Sequence, residues 1–181
     1  MEMTATPGYL GSEADGGFAE YCVIHYKNVG VVERTDLSDA ELATFSCSYT
    51  TAEGMLLRAG VKQGDRVLIT GASGGVGSAL VQLAKRRGAV TIAMASSAKH
   101  EQMAALVGPT FLLDRAPEDL GAALKETTGF DKVDVVADTV AGPYFPKLIE
   151  QIVHGGHYVT SGAIAGPIVK LDVRTLYLND L

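Results

Sequence analysis

Five short apolar runs recur along the second half of the chain: VLIT from Val67, TIAMA from Thr91, FLLD from Phe111, VDVVAD from Val133 and HYVT from His157. Successive starts lie about 20–24 residues apart, the length that a strand and its crossover helix occupy in a parallel βαβ array. The runs are continuously apolar rather than alternating, as strands covered on both faces should be. Helical patterns fill the intervals. Val76, Leu80, Leu83, Ala84 and Arg87 fall at helical spacing before Gly88 as a stop, and further helices are expected after Ser97, Asp119 and Pro143. The pattern predicts an α/β chain with a doubly wound parallel sheet.

The first 60 residues have a different texture. Glycines 8, 11, 16 and 17 lead into a strand-like stretch, FAEYCVIHY, and then VGVV; Ser38 caps a helix over DAELATF, and a second helix, TTAEGMLLRAG, stops at Gly60. With few long apolar elements, residues 1–60 read as the end of another domain plus hinge helices, and 61–181 as the domain proper. LYLNDL closes the sequence where a sixth strand would follow, so the expectation is a piece of a longer enzyme. The net charge of −6 over 181 residues argues against nucleic acid or an anionic membrane as partner. The two cysteines, Cys22 and Cys47, suit a reducing compartment. Met-Glu-Met-Thr lacks a basic-then-apolar leader pattern. A cytoplasmic protein is expected.

The sharpest local signal is VLITGASGGVG (67–77), a strand, a glycine turn and a helix start. Gly74 lets the backbone approach a phosphate, and Gly77 lets the helix pack tightly on the strand. The free N–H groups of Gly75 and Val76 and the helix dipole attract a pyrophosphate. Alanine, Ala72, stands at the first position of the Gly-x-Gly-x-x-Gly pattern. Strand before, amphipathic helix after and the βαβ beat favour a Rossmann dinucleotide site over Ser73, Gly74, Gly75, Val76 and Gly77. A structural turn in another doubly wound fold, such as a methyltransferase, is the alternative.

With GGFAEY (16–21), GVKQGDRVLITGASGGVGSALVQLAKRRGA (60–89), DVVADTVAG (134–142) and GGHYVTSG (155–162), the chain resembles the medium-chain dehydrogenase/reductase superfamily, which includes zinc alcohol dehydrogenases and quinone oxidoreductases. The resemblance implies a GroES-like catalytic domain, present here only as an N-terminal remnant, joined to a Rossmann domain. It also implies hydride transfer and a homo-oligomeric parent acting on a small carbonyl, alcohol or quinone substrate.

NAD sites usually carry a carboxylate at the end of the second strand. This chain has Ala95-Ser96-Ser97-Ala98-Lys99-His100, with no acid before Glu101. Ser96, Ser97 and Lys99 offer hydroxyls and a cation to a 2′-phosphate, so NADP(H) is the expected cofactor. Ser97 also reads as a helix N-cap, and Lys99 as a solvated charge.

By the resemblance, Cys47 is a candidate ligand of a catalytic zinc in a full-length parent and Thr51 a candidate nicotinamide contact. A lone cysteine also reads as buried and inert. One ligand makes no zinc site, so zinc is not expected in these 181 residues. Cys22 and His25, three apart on the expected strand, would face opposite ways. His154 reads as a helix end and His157 as a strand start. Asp138 ends the fourth strand as ligand contact, helix cap or turn former; Ser161 could face the nicotinamide or simply serve a turn. The leading activity is a zinc-type alcohol dehydrogenase or aldehyde reductase. The alternatives are a zinc-free quinone or enone reductase, favoured by the alanine-first turn, and a dinucleotide-binding module without turnover. These 181 residues alone are expected to be inactive, because the groups that hold substrate lie mainly elsewhere.

Overall fold

A computed structural model describes residues 10–33 and 36–181; Met1 to Tyr9, including Gly8, lie outside the described residues, as do Arg34 and Thr35. Its contacts divide the chain into Met1–Leu37 and Ser38–Leu181. The division expected at residue 60 differs from this one, because the two hinge helices group with the sheet.

In the larger unit, α1 (Asp39–Ala43) and α2 (Phe45–Arg58) precede β1 (Arg66–Ile69), α3 (Gly75–Arg86), β2 (Val90–Ala95), α4 (His100–Leu106) and β3 (Phe111–Asp114). Then come α5 (Leu120–Thr128), β4 (Val133–Asp138), α6 (Phe145–Glu150), β5 (Ile152–Thr160) and α7 (Val173–Asn179). All strand pairings are parallel, in the order β3-β2-β1-β4-β5. The chain winds outward one way from β1 to β3, then crosses to β4 and winds the other way. This is a doubly wound Rossmann-type sheet, as the strand spacing predicts.

Alternation along each strand divides the core between the two faces. Val67 and Ile69 of β1 join Ala52 and Leu56 of α2, Leu80 and Ala84 of α3 and Met103 of α4. Leu68 joins Leu120 and Leu124 of α5 and Leu148 and Ile149 of α6 on the other side. Each fully buried leucine contributes roughly 1.5–3 kcal/mol by leaving water. The two layers therefore hold the sheet between them, and α7 lies against β5 at its edge.

Local chemistry sets the element ends. Ser38 and Glu41 form a reciprocal capping box at α1. Asp119 caps α5 by accepting from Ala122 N–H at 2.9 Å. Gly88 takes φ +78 after α3, the left-handed conformation glycine adopts most easily.

Three expectations give way. FAEYCVIHY is no strand: among the described residues it pairs with no neighbour, Phe18, Tyr21 and Val23 are exposed, and Tyr26–Asn28 form a 3-10 turn. Strands exist through ladder partners, and apolar composition alone supplies none. Cys22 and His25 are therefore not strand residues; His25 Nδ1 instead accepts from Lys27 N–H at 3.3 Å. His154 lies within β5, not at a helix end, in a segment that bulges between the Val133–Ile152 and Val135–His157 pairs. Ser97 caps no α-helix: it begins a 3-10 turn, Ser97–Lys99, and α4 starts after Lys99. Among the described residues no helix is long and apolar enough to cross a membrane.

Candidate functional site

The turn between β1 and α3 is built at van der Waals limits. A Cβ on Gly77 would clash with the Gly71 carbonyl oxygen and sit 2.7 Å from the Ala72 Cα, both backbone atoms. Gly71 takes φ +57, and a Cβ there would strike the Thr139 hydroxyl. The tight-turn role therefore falls to Gly71, one residue before the alanine at the pattern's first position. Ala72 itself is fully buried. Gly74 is the N-cap of α3 and has no side chain to fill the space before the helix. The first-turn N–H groups of Gly75, Val76 and Gly77 have no acceptor within the helix and add to its positive end. Ser48 of α2 places its hydroxyl against Gly75, where a Cβ would meet it at 2.6 Å. No sequence motif points to Ser48.

Beyond this turn opens a cavity of about 660 Å³. Its walls come from the carboxyl ends of all five strands: Thr70, Gly71 and Ser73 after β1, Met94 to Ser96 with Lys99 after β2, Arg115 after β3, Val140, Ala141 and Tyr144 after β4, and Ile164 and Ala165 after β5. It lies where the winding reverses, the place where open parallel sheets receive ligands. Among the described residues Lys99, Arg115 and Lys147 line it, and no carboxylate does. In a chain of net charge −6, that local excess of cations favours an anion.

Of the residues singled out in the sequence, the structure brings Ser73, Ser96 and Lys99 into this cavity, while Gly74 to Gly77 follow Ser73 at the start of α3 and are not among its lining residues. Ser97, exposed in its 3-10 turn, and Ser161, also exposed, do not line it. Ser161 donates its N–H to the Asp138 carbonyl at 3.2 Å. Thr51 is half-buried on α2, one helical turn from Cys47. Arg115 and Tyr144 line the cavity although no spacing pointed to them, because separate loops carry them to it. Tyr144 donates its hydroxyl to the Pro117 carbonyl at 2.9 Å, and burial, then the nearby Asp119 charge, push the phenol up to about 12. It stays protonated and keeps that wall in place.

Asp138 has no exposed surface. It accepts from the Thr70 hydroxyl, from Val140 N–H at 2.8 Å, from Ala141 N–H at 3.1 Å and from the Tyr158 hydroxyl at 2.5 Å. Of the three readings its sequence position allowed, the turn-forming one is realised.

Over residues 75–181 the chain matches the zinc-binding dehydrogenase family. It belongs to that family, within the medium-chain dehydrogenase/reductase superfamily. A putative alcohol dehydrogenase from Sinorhizobium meliloti 1021 has the same fold at TM-score 0.89 with 49% identity, covering 97% of this chain and 48% of that one. A zinc-type alcohol dehydrogenase-like protein of Schizosaccharomyces pombe is 33% identical across 96% of this chain and 51% of its own length. Acryloyl-coenzyme A reductase of Metallosphaera sedula is 32% identical across 91% of this chain and 47% of its own. The chain spans about half the length of these relatives.

The family name raises the question of a metal. Cys47 is exposed in the first turn of α2, not buried as a packing cysteine would be. Among the described residues no three histidine, cysteine, aspartate or glutamate side chains converge as a metal site. The described residues therefore do not make a zinc site by themselves.

Proposed function

We propose that this chain is the cofactor-holding part of an NADP(H)-dependent oxidoreductase. The observation that carries the reading is the crevice at the winding reversal, lined among the described residues by three cations and no carboxylate, with the glycine-rich start of α3 directly following Ser73 of its wall. The pyrophosphate would sit at the first turn of α3, against Gly74, Gly75, Val76 and Gly77, with Ser73 beside it. Ser96, Lys99 and Arg115, at the ends of β2 and β3, would receive the 2′-phosphate, with Ser97 in the adjoining turn. Thr51 and Ser161 would flank the nicotinamide half. When bound, the dinucleotide supplies hydride chemistry. The chain's residues bind and orient it, and Tyr144, Val140 and Ala141 close the crevice walls against water.

The substrate class that suits the parent is an alcohol or carbonyl, as in a zinc-type alcohol dehydrogenase with Cys47 as one ligand. A zinc-free enone or quinone reductase is the second reading, favoured by the alanine at position 72 and by the relative whose name describes reduction of an acryloyl thioester. A soluble protein working in the cytoplasm, as a homo-oligomer, fits both. Calorimetric titration with NADPH and NADH tests the cofactor reading: tighter binding of NADPH supports it, and equal affinities defeat it.

A further inference from the structure

We propose that Asp138 is a positioning residue, whose hydrogen bonds to Thr70, Val140, Ala141 and Tyr158 hold the turn after β4 in the shape that receives the nicotinamide half of a dinucleotide. The proposal rests on the dinucleotide reading above and deepens it.

Asp138 collects three strand ends at one carboxylate. Thr70, just after β1, donates its hydroxyl, and that same oxygen accepts from Thr139 N–H at 3.0 Å. Tyr158 donates from β5, and Val140 and Ala141 donate their N–H groups from the turn itself. A group needed only to join β1 to β4 would not have to reach Val140 and Ala141; Arg66 and Asp134 already join those strands at their other end.

The turn also needs holding. Ala141 takes φ 53 and ψ −140, a conformation that residues with a Cβ rarely adopt and that persists only where surrounding contacts impose it. The Asp138 carboxylate, on the Ala141 N–H, is such a contact. A second grip comes from the loop after β5: Ala165 N–H donates to the Val140 carbonyl at 2.9 Å, and a Cβ on Gly142 would come within 2.6 Å of the Ala165 carbonyl oxygen. Val140, Ala141 and Ala165 all line the crevice.

The strand order says which half of the ligand meets this turn. With the pyrophosphate over β1, the β2 and β3 ends lie on one side with Ser96, Lys99 and Arg115, and the β4 and β5 ends lie on the other. A 2′-phosphoadenosine half placed among the cations leaves the nicotinamide half to the β4–β5 side. Burial, then the hydrogen bond to Asp138, raises the Tyr158 phenol above its ordinary range. Tyr158 therefore remains a donor to the carboxylate.

The test compares NADPH with 2′,5′-ADP, which carries the phosphoadenosine half alone, by calorimetry on the whole chain. Asp138→Asn is expected to weaken NADPH about tenfold or more while changing 2′,5′-ADP by less than about twofold. Tyr158→Phe leaves Asp138 its other three donors; it should weaken NADPH by about threefold and again spare 2′,5′-ADP. A purely structural role would loosen both ligands together, so parallel losses, or no loss of either, overturn the proposal. If Asp138→Asn does not fold, Tyr158→Phe decides by the same comparison. If the wild-type chain binds neither ligand, the dinucleotide reading falls and takes this one with it; binding of both without separation by the variants defeats this inference alone.

Discussion

Arg66 on β1 grips Asp134 on β4 through two parallel hydrogen bonds, Nε to Oδ2 and Nη2 to Oδ1, each 2.7 Å. The Arg66 backbone N–H donates to the same carboxylate at 2.8 Å. Four residues along each strand, Thr70 and Asp138 make the corresponding tie at the carboxyl end. The two central strands of the winding reversal are thus fastened at both ends. One fastening lies away from the crevice and the other beneath it.

The Arg66–Asp134 fastening, away from the crevice, should be a stability device. The Arg66 guanidinium, opposed by some burial, holds the Asp134 carboxyl below the usual carboxylate range. Its folded-state value is depressed, so its contribution is present above the unfolded value of about 3.9 and is lost as pH falls through the lowered one. Both side chains are partly solvated, which keeps the pair to about 1 kcal/mol. Urea denaturation of Asp134→Asn should show about that loss at pH 7 and convergence with wild type as pH falls through the lowered carboxyl value. An undiminished gap at low pH would contradict the assignment.

Gly77→Ala tests the turn geometry. The added methyl meets the Gly71 carbonyl and the Ala72 Cα, and neither backbone atom can rotate away. The expected cost is about 3 kcal/mol of unfolding free energy, read from urea denaturation, together with loss of NADPH binding as α3 is pushed from β1. Unchanged stability would mean that the helix start has room the structure denies it.

The cations divide by strand. Lys99→Ala and Arg115→Ala should each weaken NADPH by about tenfold, since a charge-assisted hydrogen bond contributes about 1.5–3 kcal/mol, and leave NADH little changed. The measurement is calorimetry with both cofactors at fixed salt. Equal losses for the two would place the cations away from the 2′-phosphate.

Elemental analysis of the purified chain should find zinc well below one ion per chain, because Cys47 has no converging ligands among the described residues. One zinc per chain that disappears in Cys47→Ser would show that ligands converge in a way these residues do not display.

Strand spacing, continuous apolarity and the glycine turn make the sheet legible in the sequence alone, because neighbouring residues on one chain dictate them. So do the Ser38, Asp119 and Gly88 helix signals, each a short-range hydrogen bond or backbone preference. Only the tertiary structure could decide what depends on elements far apart in sequence. FAEYCVIHY has strand composition but finds no ladder partner among the described residues. Arg115 and Tyr144 enter the crevice wall because β3 and β4 end at the same edge of the sheet. Asp138 belongs to the turn rather than to a cap because Thr70, 68 residues earlier, and Tyr158, 20 later, converge on it. The local sequence determined which segments are strands and helices; the folded sheet decided which of their ends meet, since a buried carboxylate takes its role from the donors that packing brings within hydrogen-bond reach.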